Sequence, residues 1–134
     1  MKLLIPSIHD QLVRNGLIRA ARAAEGKPEP DFIPAVKLFT PDAACTWLLT
    51  ELDPEEPDIA FGLCDLGMGF PELGCVRISE LEAVRGALGL PVERDLYFAP
   101  VHTLSVYARA AHSAGVITEC PEALARAAAA MEPA

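Results

Sequence analysis

The sequence predicts an α+β fold, a small antiparallel β-meander of about four to five strands packed with N-terminal and C-terminal helices. Three observations carry that prediction. Strand-favouring Val36, Phe39, Thr46, Trp47, Thr50, Ile59, Phe61, Val76 and Ile78 concentrate between residues 35 and 79. The turn-rich segments between them are too short for the crossover that a parallel pair requires. On both flanks, apolar residues recur at helical spacing between Pro, Ser, Thr and Gly boundary signals.

The elements follow in order. Pro6-Ser7, with Asp10 three residues after the serine, predicts a helix start with Ser7 as N-cap. Ile5, Ile8, Leu12 and Val13 form its apolar stripe, and Asn15-Gly16 reads as a left-handed C-cap that stops this helix near Arg14. Leu17 to Ala24 then reads as a second short helix, so the N-terminal helical unit is residues 1–24. Residues 25–34, with Glu25-Gly26-Lys27-Pro28-Glu29-Pro30, have the composition of an exposed connector. Four strands are expected at 35–39, 45–52, 58–65 and 75–79, separated by Thr40-Pro41-Asp42, Asp53-Pro54-Glu55-Glu56-Pro57 and Gly67-Met68-Gly69-Phe70-Pro71. Ser79-Glu80-Leu81-Glu82 is a capping box for a helix carrying Leu81, Val84 and Leu88 and stopping at Gly89. Leu96-Tyr97-Phe98 reads as a last short strand, and Thr103 caps a helix through Tyr107 and Ala111 to Gly115. One α+β domain is therefore expected over residues 1–118, followed by an Ala-rich helical tail over 119–134 that has little to bury.

Length and charge bound the function. At 134 residues, 51% of them hydrophobic, the chain holds one core and is too apolar for bulk disorder. No apolar run approaches the roughly 20 residues a membrane helix needs, and Pro6, His9 and Asp10 interrupt any signal-peptide core, so no membrane association and a cytoplasmic location are expected. The net charge of -8 hides an asymmetry: residues 1–24 carry +3 and the remainder -11. An acidic body repels phosphates, whereas its one basic segment offers a local, salt-sensitive contact. Cys45, Cys64, Cys75 and Cys120 show no zinc-ligand spacing and read as reduced, small, buried apolar residues.

Motifs for chemistry are few. Gly67, Gly69 and Gly74 come closest to a phosphate cradle, but Phe70-Pro71-Glu72 removes an N–H and adds a repelling carboxylate. His9, His102 and His112 stand outside any nucleophile-elbow pattern. Glu51 and Asp65 lie on adjacent predicted strands, where two facing carboxylates would suit acid/base or metal chemistry, which makes a metal-dependent enzyme one alternative. No catalytic residue, cofactor or metal is otherwise expected. Arg94, between Glu93 and Asp95, is expected in an ion pair with its flanking carboxylates or in a binding loop. Trp47 with Phe39, Phe61, Phe70, Tyr97 and Phe98 offers either a core or a stacking platform for single-stranded bases, for which Arg14, Arg19 and Arg22 would supply the cations.

Five ordered blocks, Val36 to Pro41, Thr46 to Pro54, Ile59 to Gly67, Gly69 to Gly74 and Leu90 to Leu96, resemble a bacterial family catalogued as domain of unknown function 2958, over about residues 3–118. Cys75 and Ala44 stand where relatives often carry an aromatic residue and a glycine. The resemblance implies cargo of plasmids and other mobile elements, and no established activity; a single-stranded-DNA-binding role is one implied alternative and inhibition of a host-defence complex another. The reading that unites these features is a non-catalytic binding protein acting through a protein partner, with Phe70, Pro71, Glu72, Glu93, Arg94 and Asp95 in its exposed loops and Trp47 beside them.

Overall fold

Where the pattern predicts a helix break at Asn15-Gly16, the chain instead forms one helix, α1 (Pro6–Ala24), in a computed structural model that describes residues 3–132. The outer ends of the expected N-terminal unit and tail, residues 1–2 and 133–134, lie outside the described residues. Both supposed capping residues are buried within α1. A Cβ on Gly16 would lie 1.9 Å from the carbonyl oxygen of Leu52, so this glycine permits helix and strand backbones to touch. The Asn15 amide donates to the Thr50 carbonyl at 2.8 Å. The Asn-Gly pair is thus a docking point and not a stop signal. Pro6 takes the first helical position and Ser7 makes no cap; the residue before the helix is Ile5.

The sheet has the order β4-β3-β2-β1-β5, antiparallel throughout, with β1 (Val36–Phe39), β2 (Thr46–Leu52), β3 (Ile59–Asp65), β4 (Glu72–Arg77) and β5 (Glu93–Arg94). The first three strands lie within a residue of their predicted positions. β4 begins three residues earlier than expected because the β3–β4 loop closes tightly over 66–71 and a helix takes over at Ile78. β5 forms from the charged pair Glu93-Arg94, and not from Leu96-Tyr97-Phe98, because Leu38 and Phe39 offer their edge to it.

Both faces are covered, so β2 is buried almost end to end. On one face Val36, Leu38, Trp47 and Leu49 pack with Leu12 of α1 and with Leu81 of the short helix α2 (Ile78–Ala83). On the other, Leu48 and Leu63 pack with α3 (Leu104–Ala114) and α4 (Pro121–Met131). The tail therefore has something to bury: Leu124 and Ala127 join Ala110 and Ala111 in that cluster.

Two helix starts use carboxylates from elsewhere in place of local caps. The amide and hydroxyl of Ser79 both donate to Asp58, at 2.9 and 2.6 Å, so the capping box is not formed. Those bonds hold the Asp58 carboxyl below its ordinary range. At α3 the Ser105 amide and hydroxyl donate to Asp31 of the connector, and the Leu104 amide donates to the Phe32 carbonyl. Beyond α2 the chain turns around Asp42, whose carboxylate accepts from the amides of Leu88 and Leu90; this ends the helix at Ala83 instead of Leu88. Gly115, at φ 76°, closes α3 as expected.

Candidate functional site

The β3–β4 connection carries the clearest surface feature. Gly67 and Gly69 adopt positive φ, 78° and 86°, which the tight reversal requires. Buried Asp65, the last residue of β3, anchors it. One carboxylate oxygen accepts from the Gly67 amide at 2.9 Å, and the other accepts from the Ile117 amide at 3.0 Å. The loop is thereby strapped to the exit of α3, and its apolar side chains point to solvent. Phe70 is 81% exposed and Met68 76%, with Leu66 and Leu73 also exposed on either side. Pro71 is buried against the body, so of the expected trio only Phe70 and Glu72 are presented.

The second expected loop sits at the opposite edge of the sheet. Phe70-Pro71-Glu72 leads into β4 and Glu93-Arg94 is β5, the two terminal strands, so the structure does not combine them into one surface. Arg94 makes no ion pair with Glu93 or Asp95. It donates to the Leu3 carbonyl at 2.8 Å and ties the start of the described chain to the sheet. Asp95 instead meets Lys37 at 3.4 Å, and Glu119 meets the same ammonium. Burial disfavours that charge, but the hydrogen bonds and charges of Glu119 and Asp95 outweigh it, so the Lys37 pKa is raised above its ordinary value. Beside this cluster, Tyr97 is 92% exposed.

The nucleic-acid constellation is dispersed. Trp47 is 4% exposed and belongs to the core under α1, with no face free for a base. Arg22 donates to the Pro28 carbonyl and Arg14 to Gln11. Arg19 donates to Glu51 at 2.6 Å and to the Pro30 carbonyl, with its guanidinium 5.5 Å from the centre of the Phe61 ring.

Glu51 and Asp65 do not face each other. Glu51 pairs with Phe61 and Asp65 with Thr46, four residues apart along β3, or about 13 Å. The register shifts between Leu49 and Glu51, a bulge at Thr50 that sets Glu51 on the Phe61 side of the sheet. There Arg19 occupies one oxygen of a carboxylate whose side chain is 7% exposed. Among the described residues no three His, Cys, Asp or Glu side chains cluster as metal ligands would.

The Arg19–Glu51 pair lines a cavity of about 440 Å³ between α1, the β2–β3 turn and the outer strands, with Glu29, Asp53, Phe61 and Cys75 among its walls. The sequence gives no signal for it, because its members come from four separate segments. The thiols divide: Cys75 and Cys120 are exposed, against the expectation of burial, whereas Cys64 is half-buried and its thiol is pushed up to about 11 by burial and, secondarily, by Cys75.

Among the described residues no helix is long and apolar enough to cross a membrane. No curated protein and no solved structure matches the chain. A family model does match, over residues 3–118, and by that match the chain belongs to the family described as Protein of unknown function (DUF2958).

Proposed function

We propose that this chain is a non-catalytic accessory protein of a mobile genetic element, working in the cytoplasm through a protein partner that docks on the β3–β4 loop. The observation that carries the reading is Phe70, 81% exposed on a loop that Asp65 holds in place. Leaving an aromatic ring and three neighbouring apolar side chains in water is unfavourable unless something covers them, and exposed apolar clusters on otherwise polar surfaces mark interaction sites. A pre-ordered loop also loses little conformational entropy on binding. The mobile-element setting and a host-defence complex as the class of partner come from the family resemblance.

The test is affinity capture from the bacterial host with immobilised wild-type protein and with Phe70→Ala/Met68→Ala. The reading expects a discrete partner with the wild type and its loss with the variant, because an aromatic anchor at the centre of an interface is worth about 2 kcal/mol or more, roughly 30-fold in affinity. Equal capture by both proteins, or no partner at all, defeats it. With Trp47 in the core and Arg19 bound to Glu51, the same reading expects no saturable binding of labelled single-stranded oligonucleotides at physiological salt.

A further inference from the structure

β4 is a terminal strand. Its central residues Leu73-Gly74-Cys75-Val76 contain no charge and no proline. Among the described residues, its outer edge engages no other backbone. Edge strands are ordinarily blunted by charge, proline, bulges or cover, because a row of unpaired N–H and C=O groups is a template for another strand. Here that template is left open, and it runs directly out of the apolar loop.

The cavity described above opens at the same place. Cys75 of β4 lies in its wall, and Phe61 opposite Cys75 on β3 forms part of its floor. Residues paired across neighbouring strands share a face. A residue paired with Cys75 on an added strand would therefore project toward the cavity. The charge around it is one-sided. Glu29, Glu51 and Asp53 line the cavity, and Glu55, Glu56 and Asp58 follow in the adjoining turn. The cations at hand are committed: Arg19 in the cavity wall is paired with both Glu51 and Glu29, and Arg77 beside the turn with Glu56 and Asp58. An apolar wall with an acidic rim suits a long side chain with a cationic head.

We propose that the outer edge of β4 accepts an extended basic segment of a partner protein as a sixth strand, with a Lys or Arg side chain entering the cavity beside Arg19 and Glu51. This rests on the binding-module reading and names the chemistry of the partner. Nucleic acid meets the carboxylates with phosphates and is repelled. A second copy of this chain pairing through its own β4 would bring only Arg77, a cation already paired.

The experiment is an NMR titration of the ¹⁵N-labelled protein with the peptide acetyl-Thr-Val-Thr-Arg-Thr-Val-Thr-amide. Its counterparts are the same peptide with Glu in place of Arg, and the Arg peptide N-methylated at alternate amides. The expected result is perturbation of the Gly74, Cys75 and Val76 amides by the Arg peptide, with affinity at least about tenfold above that of the Glu peptide. N-methylation should abolish binding, since it removes main-chain donors. Glu29→Gln/Asp53→Asn, near-isosteric changes at two exposed positions, should weaken the Arg peptide about threefold or more. Equal affinities for the Arg and Glu peptides, perturbations away from β4, or a concentration-dependent dimer that occupies these amides would overturn the proposal. Because the peptide makes no demand on the loop, failure here and failure of the capture experiment are distinguishable.

Discussion

The two edges of the sheet are finished in opposite ways. The β5 edge is two residues long and is fastened from a distance: Arg94 holds the Leu3 carbonyl, and Lys37 of β1 gathers Asp95 and Glu119. The β4 edge is six residues long, its backbone is bonded to β3 alone, and it is fastened only at its loop end, where Asp65 accepts from the Gly67 and Ile117 amides. A short edge tied by long-range polar contacts is protected against unwanted pairing, whereas a long edge beside exposed Phe70 is kept open at a cost in solubility. Such an asymmetry is what a binding face on an otherwise protected sheet would require.

The largest effect expected of this contrast is chemical. Cys64 and Cys75 lie on neighbouring strands, one half-buried toward α1 and one exposed on the open edge. With its thiol pushed up to about 11, Cys64 is thiolate in only about one molecule in a thousand at pH 8. Iodoacetamide at pH 8, read by peptide mass spectrometry, should modify Cys75 and Cys120 on the order of a hundredfold faster than Cys64. Comparable rates at Cys64 and Cys75 would mean that β3 and β4 separate readily and that the open edge is not an ordered template.

Next in size is Gly16→Ala, which attacks the seat of α1 on β2, beside the cavity at the open edge. Helix propensity alone favours alanine by about 1 kcal/mol. The new Cβ, however, would sit 1.9 Å from a backbone oxygen of Leu52, and backbone cannot step aside as a flexible side chain can. The clash wins, and a net loss of about 2–3 kcal/mol is expected in urea unfolding. A neutral or stabilising outcome would show that α1 is not seated on β2 in this way.

That same glycine shows how far the sequence was legible. The alternation of β-type residues and turns placed β1, β2 and β3 within a residue, since those strands owe their position to local pattern. Asn15-Gly16 carries the composition of a cap, and only the backbone of Leu52, far along the chain, turns it into a contact surface. Ser79-Glu80-Leu81-Glu82 was misread for a similar reason, with Asp58 outcompeting the local carboxylate. At the candidate site, Phe70 was legible because an aromatic in a Gly-Met-Gly-Phe-Pro turn has nowhere local to be buried. The cavity was not, because the partnership of Arg19 with Glu51 depends on a bulge at Thr50 that no residue type announces. Trp47 was ambiguous by nature: the same aromatic serves a core or a stacking platform, and the helix laid over it decides.

A smaller effect is expected from pH at the β5 edge. The folded Lys37 pKa is raised above the ordinary 10.5, so the unfolded chain releases this proton first as pH increases. The stabilisation is therefore complete below that value and is lost as pH rises through the folded one. Thermal unfolding of wild type and Lys37→Met should show a difference of up to about 1 kcal/mol between pH 8 and 9.5, given a partly exposed pair. That difference should shrink above about pH 10.5, and its persistence would mean that packing of the Lys37 stem, and not its charge, secures the edge.

The smallest stability effect should come from Phe70→Ser, and its smallness is informative. A ring 81% exposed contributes little to the folded state, so removing it should shift stability by less than about 0.5 kcal/mol. Polar substitution should also raise solubility, because it shrinks the exposed apolar cluster. A protein that gains solubility, keeps its stability and loses its captured partner would separate binding from folding at this residue. If Phe70→Ser instead unfolds the chain, the loop is part of the core on the β4 side, and the two edges differ in how they are built and not in what they are for.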